Sequence, residues 1–405
     1  MKKYVLTALL IVLSTSVSVN AQELSFFEAL NELVKDCPQI TILKKNNEAT
    51  IEAEKQLNKL SSPEVEVDQV WGRHGVGNKF DVTVSQGFDW PSLYKARARA
   101  ITAQTNANTL LEQAQLLEKT QEVKTLMVDI IYQKKHIEIS KMIVLHMEEM
   151  EKVNRRSFEK GETSKLEFKR TELERVQASI QLREDERVLK ELYSQLEAAT
   201  GKTDCVAIMN RVKDVPDWVV APEENYEQNL SSYDPRMAYL KATIEAIDAS
   251  SKSEKMAATM PSFNLGYLYQ REQGETFNGF SVSLTLPIYG SNHVKNASKA
   301  NIIAAQLEAQ VEQITILSKM RNQRAAALSL AKELDDYSTI FEKGNYSELL
   351  KMALEGGQTD NIHYLQELNF YIEVTRQYLE LQHQYNLALV GLNRFEIFNE
   401  DGRNF

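Results

Sequence analysis

The prolines and glycines of this chain recur at a nearly constant distance along the sequence. Three pairs of prolines are separated by 196 to 198 residues: Pro38 and Pro235, Pro63 and Pro261, and Pro91 and Pro287. Gly161 and Gly357, in "FEKGETSKL" and "LEGGQTDNI", are also 196 residues apart. Because a fixed offset is typical of an internal repeat, the sequence predicts two copies of one unit, roughly residues 38–200 and 235–395.

Each copy is predicted to contain the same elements in the same order. A first helix ends at a proline that opens a strand, a second strand follows, and a long helix, a glycine turn and a returning helix complete the copy. The first copy, extended to residues 22–200, comprises helix 39–60, strands 63–71 and 79–90, and helices 93–159 and 164–199. The second copy, residues 235–395, comprises helix 236–258, strands 261–270 and 279–288, and helices 291–356 and 360–393. Residues 201–234 are expected to be a linker and residues 396–405 a C-terminal tail.

The two long helices constrain the architecture further. At 1.5 Å per residue, helix 93–159 would extend roughly 100 Å. A helix of that length is not stable alone in water, so it must pack against neighbours as a coiled coil. Gly344 and Asn345 interrupt the helical pattern of the second long segment, so a break in that helix is the alternative to one continuous helix.

The predicted strands alternate apolar and polar residues with period two. In the second hairpin the apolar set is Phe263, Leu265, Tyr267 and Tyr269, followed after a turn at 271–278 by Phe280, Val282, Leu284 and Leu286. In the first hairpin, with its turn at 72–78, it is Val65, Val67 and Trp71, then Phe80, Val82, Val84, Phe88 and Trp90. Such alternation indicates strands with one apolar face.

These hairpins are typical of membrane strands, although a second interpretation exists. Strands of nine to twelve residues match the length of a tilted transmembrane strand. Aromatic residues flank both ends of the apolar segments, as in outer-membrane barrels: Trp90 and Tyr289 at the helix end, and Trp71, Phe80 and Tyr269 at the turn end. An ordinary half-buried sheet packed on helices would alternate as well.

The number of strands favours a barrel shared between chains. Open sheet edges are not tolerated in lipid, and barrels begin at about eight strands, so four strands cannot close. Three chains of four strands would give twelve.

The N-terminal segment and the charge restrict the compartment and the partners. Lys2 and Lys3, an apolar run and small residues ending at Ala21 predict a secretory signal peptide over residues 1–21. Without those two lysines the chain carries 45 basic and 57 acidic residues. An exported chain this acidic is a poor candidate for binding nucleic acid.

Cys37 and Cys205 are the only cysteines. In an oxidising compartment, two cysteines are consistent with a disulfide or with two buried thiols, and the residues alone do not decide between them.

The chain resembles the TolC-like outer-membrane efflux proteins over essentially its whole mature length. The resemblance is carried by "RSFEKGETSKLEFKRTELE" (156–174) and "KMALEGGQTDNIHYLQELNFY" (351–371), similar to the family's glycine-containing helical turns. The strand-to-helix junctions "SQGFDWPSLYKARARA" (85–100) and "SLTLPIYGSNHVKNASKA" (283–300) are similar too. These motifs occur twice, in the family's order.

The resemblance implies both a fold and a function. The fold is mainly α with a membrane β-barrel, in which four strands per subunit form one third of a trimeric twelve-stranded barrel above a coiled-coil tunnel. The homotrimer would be an outer-membrane exit duct with a large periplasmic portion. Its partners would be outer-membrane lipid, a periplasmic adaptor and an inner-membrane pump of the resistance-nodulation-division (RND) or ABC type. The tips that dock onto the adaptor would include Gly161, Thr163, Gly357 and Thr359.

The resemblance also points to residues along the duct. If the apolar face meets lipid, an acidic set faces the lumen and favours cations: Glu64, Glu66, Asp68, Asp81 and Asp89. The alternative is that these carboxylates only hydrate the lumen and do not select ions. Where well-known family members have gate aspartates, six and nine residues after the second tip glycine, this chain has His363 and Gln366. His363 would then either line a pH-sensitive constriction or be a solvated tip residue.

The family's arrangement also brings the segments of Cys37 and Cys205 together, which favours a disulfide. A periplasmic coiled-coil adaptor or scaffold without a channel is the alternative function. Neither a catalytic motif nor a metal-binding spacing of histidines occurs in the sequence, so we expect no enzyme activity, no metal and no cofactor.

Overall fold

The structure is a computed structural model that describes residues 23–35, 37–75, 77–218, 220, 234–288, 291–343, 346–359 and 361–393. Several sequence-based predictions lie outside the described residues: the signal peptide, most of the second half of the linker, Tyr289, Gly344, Asn345 and the C-terminal tail.

The described elements form two series, each with a pair of strands between helices. The first series is α1 Phe26–Val34, α2 Pro38–Gln56, β1 Glu64–Trp71, β2 Asn78–Asp89, α3 Pro91–Glu159 and α4 Lys165–Thr200. After α5 Cys205–Met209, the second is α6 Pro235–Ala257, β3 Ser262–Glu272, β4 Glu275–Thr285, α7 Ser291–Lys343, α8 Tyr346–Glu355 and α9 Asn361–Leu392. The prediction of a mainly helical chain with four strands is confirmed.

Local sequence explains where the helices begin. Pro91 and Pro235 are the first residues of α3 and α6, where a proline loses no helical hydrogen bond. Ser164 caps α4: its side chain accepts from the Glu167 N–H while the Glu167 side chain accepts from the Ser164 N–H.

Several predicted boundaries were wrong. Helix α2 ends at Gln56 rather than at residue 60. Strand β4 covers Glu275–Thr285 instead of 279–288, since the turn before it is only Gln273 and Gly274. Both turn residues have positive φ, 53° and 92°, which is typical of a tight two-residue hairpin. The polar residues that suggested a long loop belong to the outer ends of β3 and β4.

Two short helices were not predicted at all. The capped helix α1 buries Phe26, Ala29, Leu30 and Leu33, and α1 contacts α5. The predicted helix 291–356 is described as α7 and α8, with residues 344 and 345 between them.

The strands form one antiparallel sheet in the order β1-β2-β3-β4. Val65 lies opposite Val84, Val84 opposite Tyr267, and Tyr267 opposite Phe280. Because facing residues point to the same side, this register places the apolar sets of both hairpins on one face of one sheet.

The chain divides into two compact units, which we describe separately. The first consists of Met1–Gln39, Leu117–Val220 and Met320–Phe405. Its core includes Met147 and Met150 of α3 with Leu350 of α8 and Tyr364 of α9. The second consists of Ile40–Leu116 and Ala221–Lys319 and contains the whole sheet. Here α3 and α6 pack through Ala107, Ala242 and Ala246.

Candidate functional site

One face of the sheet is apolar and open. Its exposed residues are Val65, Val67, Trp71, Val84, Leu265, Tyr267, Phe280, Val282 and Leu284. Phe280 is 88% exposed and Val282 74% exposed. At the helix end of this face Phe88 stacks on Phe263 with 5.4 Å between ring centroids, and Trp71 marks the turn end. A contiguous exposed apolar surface of this kind is characteristic of a surface that contacts lipid or a partner.

The five predicted acidic residues lie together on the opposite face. Glu66 faces Thr83 and Asp68 faces Asp81 across β1 and β2, and Asp89 follows Asp81 at an even spacing on β2. The rest of this face is largely polar, with Ser281 and Ser283 on β4. Like charges directly opposite each other destabilise a sheet, so the Asp68–Asp81 pair requires water or a cation nearby.

Two of the five carboxylates already have cationic partners. Asp81 lies 3.0 Å from the Lys79 ammonium. Asp89 lies 2.6 Å from the Arg97 guanidinium, and the Tyr94 hydroxyl accepts a hydrogen bond from the Asp89 N–H. These two residues therefore contribute less negative field than the sequence suggested, because a cation beside each carboxylate offsets its charge.

The remaining three carboxylates are all on β1. Glu64, Glu66 and Asp68 are exposed. No ion pair or hydrogen bond links them to other side chains in the described part of the chain. The sequence could not distinguish them from Asp81 and Asp89, because the partners of that second pair depend on local side-chain geometry.

Both edges of the sheet are open. Strands β1 and β4 each pair on one side only, so their outer backbone N–H and C=O groups have no strand partner among the described residues. Such an edge is a template for pairing with another chain.

The turn at Gly161 joins α3 to α4. The Gly161 N–H donates to the Phe158 carbonyl (2.9 Å) and the Glu162 N–H donates to the Ser157 carbonyl (2.8 Å). Gly161 has φ 77°, the left-handed conformation that ends helices of this type.

The turn at Gly357 has the same geometry. Its N–H donates to the Leu354 carbonyl (3.2 Å), the Gln358 N–H donates to the Ala353 carbonyl (2.9 Å), and φ is 69°. The predicted docking residues Thr163 and Thr359 are half-buried beside these turns. The residues that predicted matching turns therefore do form them.

Replacing Gly161 by valine should destabilise the first turn through backbone strain. An added Cβ would meet no atom within 4 Å, but a β-branched residue at positive φ costs about 1–2 kcal/mol. Gly161→Asn is the matched control because asparagine tolerates this conformation. The thermal unfolding midpoints of the parent and of Gly161→Asn should both be higher than that of Gly161→Val. Equal midpoints for the two variants would contradict the strain argument.

The first helical hairpin is held rigidly near its turn. The buried Asn154 side chain donates to the Thr171 hydroxyl (2.7 Å), and Phe158 stacks on Phe168 with 5.5 Å between centroids. These contacts between α3 and α4 present the turn as a preorganised surface.

His363 and Gln366 are both exposed on α9. Tyr364, next to His363, is buried, and the centroid of its ring lies 5.6 Å from that of the His146 imidazole of α3. Sequence reasoning did not single out His146. Its only sequence indication is its position directly before the buried Met147 in a helical pattern.

His146 should make the first unit less stable in acid. Burial lowers the pKa of this imidazole below its usual 6.5, although nearby Glu149 acts in the opposite direction. Between the folded-state pKa and about 6.5 the unfolded chain binds more protons, so stability rises with pH in that range and falls on acidification. Unfolding midpoints at pH 7.5 and 5 should differ less for His146→Leu than for the parent, and parallel pH slopes would contradict this role.

The expected disulfide between Cys37 and Cys205 is not present. Both are buried thiols. The Cys37 thiol donates to the Thr200 carbonyl (3.0 Å), and the Cys205 sulfur lies 3.3 Å from the Thr200 hydroxyl. The two segments therefore come together as expected, but each sulfur is satisfied by Thr200.

None of the described helices has an apolar stretch of the length needed to cross a membrane. No protein-family model matches the sequence, and no curated protein matches it.

Solved structures of membrane and channel proteins share this fold. A membrane protein from Pseudomonas aeruginosa matches with a TM-score of 0.75 and 15% identity, over 90% of this chain and 89% of that chain. The CmeC outer membrane channel of Campylobacter jejuni matches with a TM-score of 0.74 and 14% identity, over 91% and 85%. The open-state MtrE outer membrane channel of Neisseria gonorrhoeae gives 0.69 and 13%, over 90% and 87%. At these identities the comparison concerns the fold.

Proposed function

The chain has the fold of the TolC-like outer-membrane channels, and from this premise we propose that it is an outer-membrane exit duct assembled from three copies. The sheet carries this proposal. It has an open apolar face and two open edges, a combination that lipid and neighbouring copies of the same sheet would satisfy together. Three sheets of four strands close a twelve-stranded barrel, with β4 of one copy beside β1 of the next.

The face opposite the lipid would line the pore. Its carboxylates on β1, three per chain, would place a strongly negative ring in the lumen of the trimer and raise the local concentration of cations. We therefore propose that cations or cationic molecules pass more readily than anions.

The helical turns would form the periplasmic end of the duct. We propose that the segments around Gly161 and Gly357, with Thr163 and Thr359 beside them, dock onto a periplasmic adaptor that connects the duct to an inner-membrane pump of the RND or ABC type. The rigid packing of α3 on α4 near the first turn supports a preorganised docking surface. We propose that His363 and Gln366, which are exposed on the helix after the second turn, line a constriction.

Membrane assembly and conductance test the channel itself. The full-length protein should fractionate with the outer membrane, resist extraction by high salt, run as a trimer in mild detergent and conduct ions in planar bilayers. A salt-extractable monomer without conductance would overturn the proposal.

A photo-crosslinking residue at Thr163 tests the docking tip. It should crosslink to a co-expressed adaptor, whereas the same residue at the exposed Lys190 of α4, away from the turn, should not. Equal crosslinking at both positions would refute docking through the turns.

A further inference from the structure

The apolar face of the sheet gains its first charged residue on β3 near the hairpin turns. Successive cross-strand rows on this face run from the Phe88–Phe263–Leu284 row, at the helix end, to the Val67–Val82–Tyr269–Asn278 row. The next row outward is Gln69–Phe80–Arg271–Thr276. Arg271 is thus the first charge on a face that is apolar or aromatic along the rest of β3.

The position of this row matches one boundary of a membrane. Arg271 is eight residues along β3 from Phe263, roughly 26 Å at 3.3 Å per residue. A strand tilt of about 40° reduces that to roughly 20 Å along the membrane normal, close to the apolar band of outer-membrane barrels, about 25 Å. If the aromatic pair at Phe263 marks the inner boundary, Arg271 lies at the outer one, where lipid headgroups begin.

Arg271 is available for a ligand. It is exposed, and no ion pair or hydrogen bond engages its side chain in the described part of the chain. The neighbouring Glu272 and Glu275 belong to the opposite face, because strand residues alternate sides. The hydroxyl of Thr276, directly across from Arg271, adds a second hydrogen-bonding group in the same row.

We propose that Arg271 binds the phosphate of an anionic lipid headgroup in the outer leaflet, with Thr276 as a neighbouring donor; this rests on the proposed function, since it requires the sheet to lie in a membrane. A guanidinium matches phosphate geometry through two parallel N–H···O bonds, which makes it the preferred side chain for such a group. The lipid, rather than free phosphate, is the occupant because its acyl chains would cover Val67, Val82 and Tyr269 directly below.

The experiment uses the full-length trimer in mild detergent, titrated with phosphatidylglycerol or with phosphatidylcholine of identical acyl chains. Native mass spectrometry measures the lipid bound. The parent should bind phosphatidylglycerol more tightly, and Arg271→Gln should lose about tenfold in that affinity, with Arg271→Lys in between. Excess inorganic phosphate should not displace the lipid.

Lys79→Gln is the matched control. Lys79 on β2 lies opposite Glu272, the residue that follows Arg271 on β3, and therefore belongs to the polar face. Its ammonium forms an ion pair with Asp81. This variant removes one positive charge at the same end of the sheet and should retain the lipid preference. No preference in the parent, an equal loss in Lys79→Gln, or an unchanged Arg271→Gln would each overturn the proposal. Conductance of the same samples in planar bilayers reports separately on the channel, so a conducting trimer without lipid preference refutes this inference alone.

Discussion

Phe280→Arg is expected to abolish assembly of the protein in the outer membrane. Phe280 lies in the row Val65–Val84–Tyr267–Phe280, midway along the apolar face, and is 88% exposed in the single chain. An arginine facing lipid near the middle of a barrel wall costs about 2–4 kcal/mol. Because the substitution is present in every copy, the cost is roughly 6–12 kcal/mol for a trimer, comparable to the whole stability of a typical domain.

Gly279→Arg is the matched control for this substitution. Gly279 precedes Phe280 on β4 and faces the opposite side, where an added Cβ meets no atom within 4 Å. An arginine there would face water in the lumen and should leave membrane assembly intact. Membrane fractionation and the yield of trimer in mild detergent measure both variants. If both variants assembled equally well, or if the failure occurred in Gly279→Arg, the assignment of the two faces would be wrong.

Removing the carboxylates of β1 should produce the largest change in ion selectivity. The triple variant Glu64→Gln, Glu66→Gln and Asp68→Asn takes three negative charges from each chain, all on the polar face. With that ring neutralised, the pore should lose the attraction that concentrates cations, and the cation-to-anion permeability ratio should fall about threefold or more. Reversal potentials across a KCl gradient in planar bilayers measure the ratio.

Asp89→Asn is the control for this variant. This substitution removes one negative charge per chain instead of three, from a carboxylate 2.6 Å from the Arg97 guanidinium, so the cation-to-anion permeability ratio should fall less than in the triple variant. The difference between the triple variant and the parent should also shrink at high salt, because screening shortens the range of the charges to a few ångströms. A triple variant with the parent's selectivity would show that these residues only hydrate the face.

The sequence predicted the elements well because their determinants are local. Pro63 and Pro261 precede strands, Pro91 and Pro235 begin helices, and Gly161 turns the chain at positive φ. Period-two alternation also predicted the two faces of the sheet, since the side of the sheet depends only on parity.

The failures have physical causes as well. The polar ends of β3 and β4 continue beyond the apolar band, so hydrophobicity did not mark the tight turn at Gln273 and Gly274. Helix α1 is short and becomes stable by packing near α5, a contact between distant segments. Cys37 and Cys205 do not form a disulfide, and each sulfur instead contacts an oxygen of Thr200. The spacing of the cysteines in the sequence does not reveal the position of those oxygens.

The hairpin connections are short: two residues between β3 and β4, and six between β1 and β2. In a ring of three chains the external rim would consist of six small corners, none long enough to reach across the mouth and cover it. Connections of two and six residues could not cover such a pore, so in the proposed channel any gate would have to be formed by other parts of the chain. In the proposed channel this rim would also expose little surface to antibodies or phage, and a tag inserted at Gly274 would display a peptide on the cell exterior.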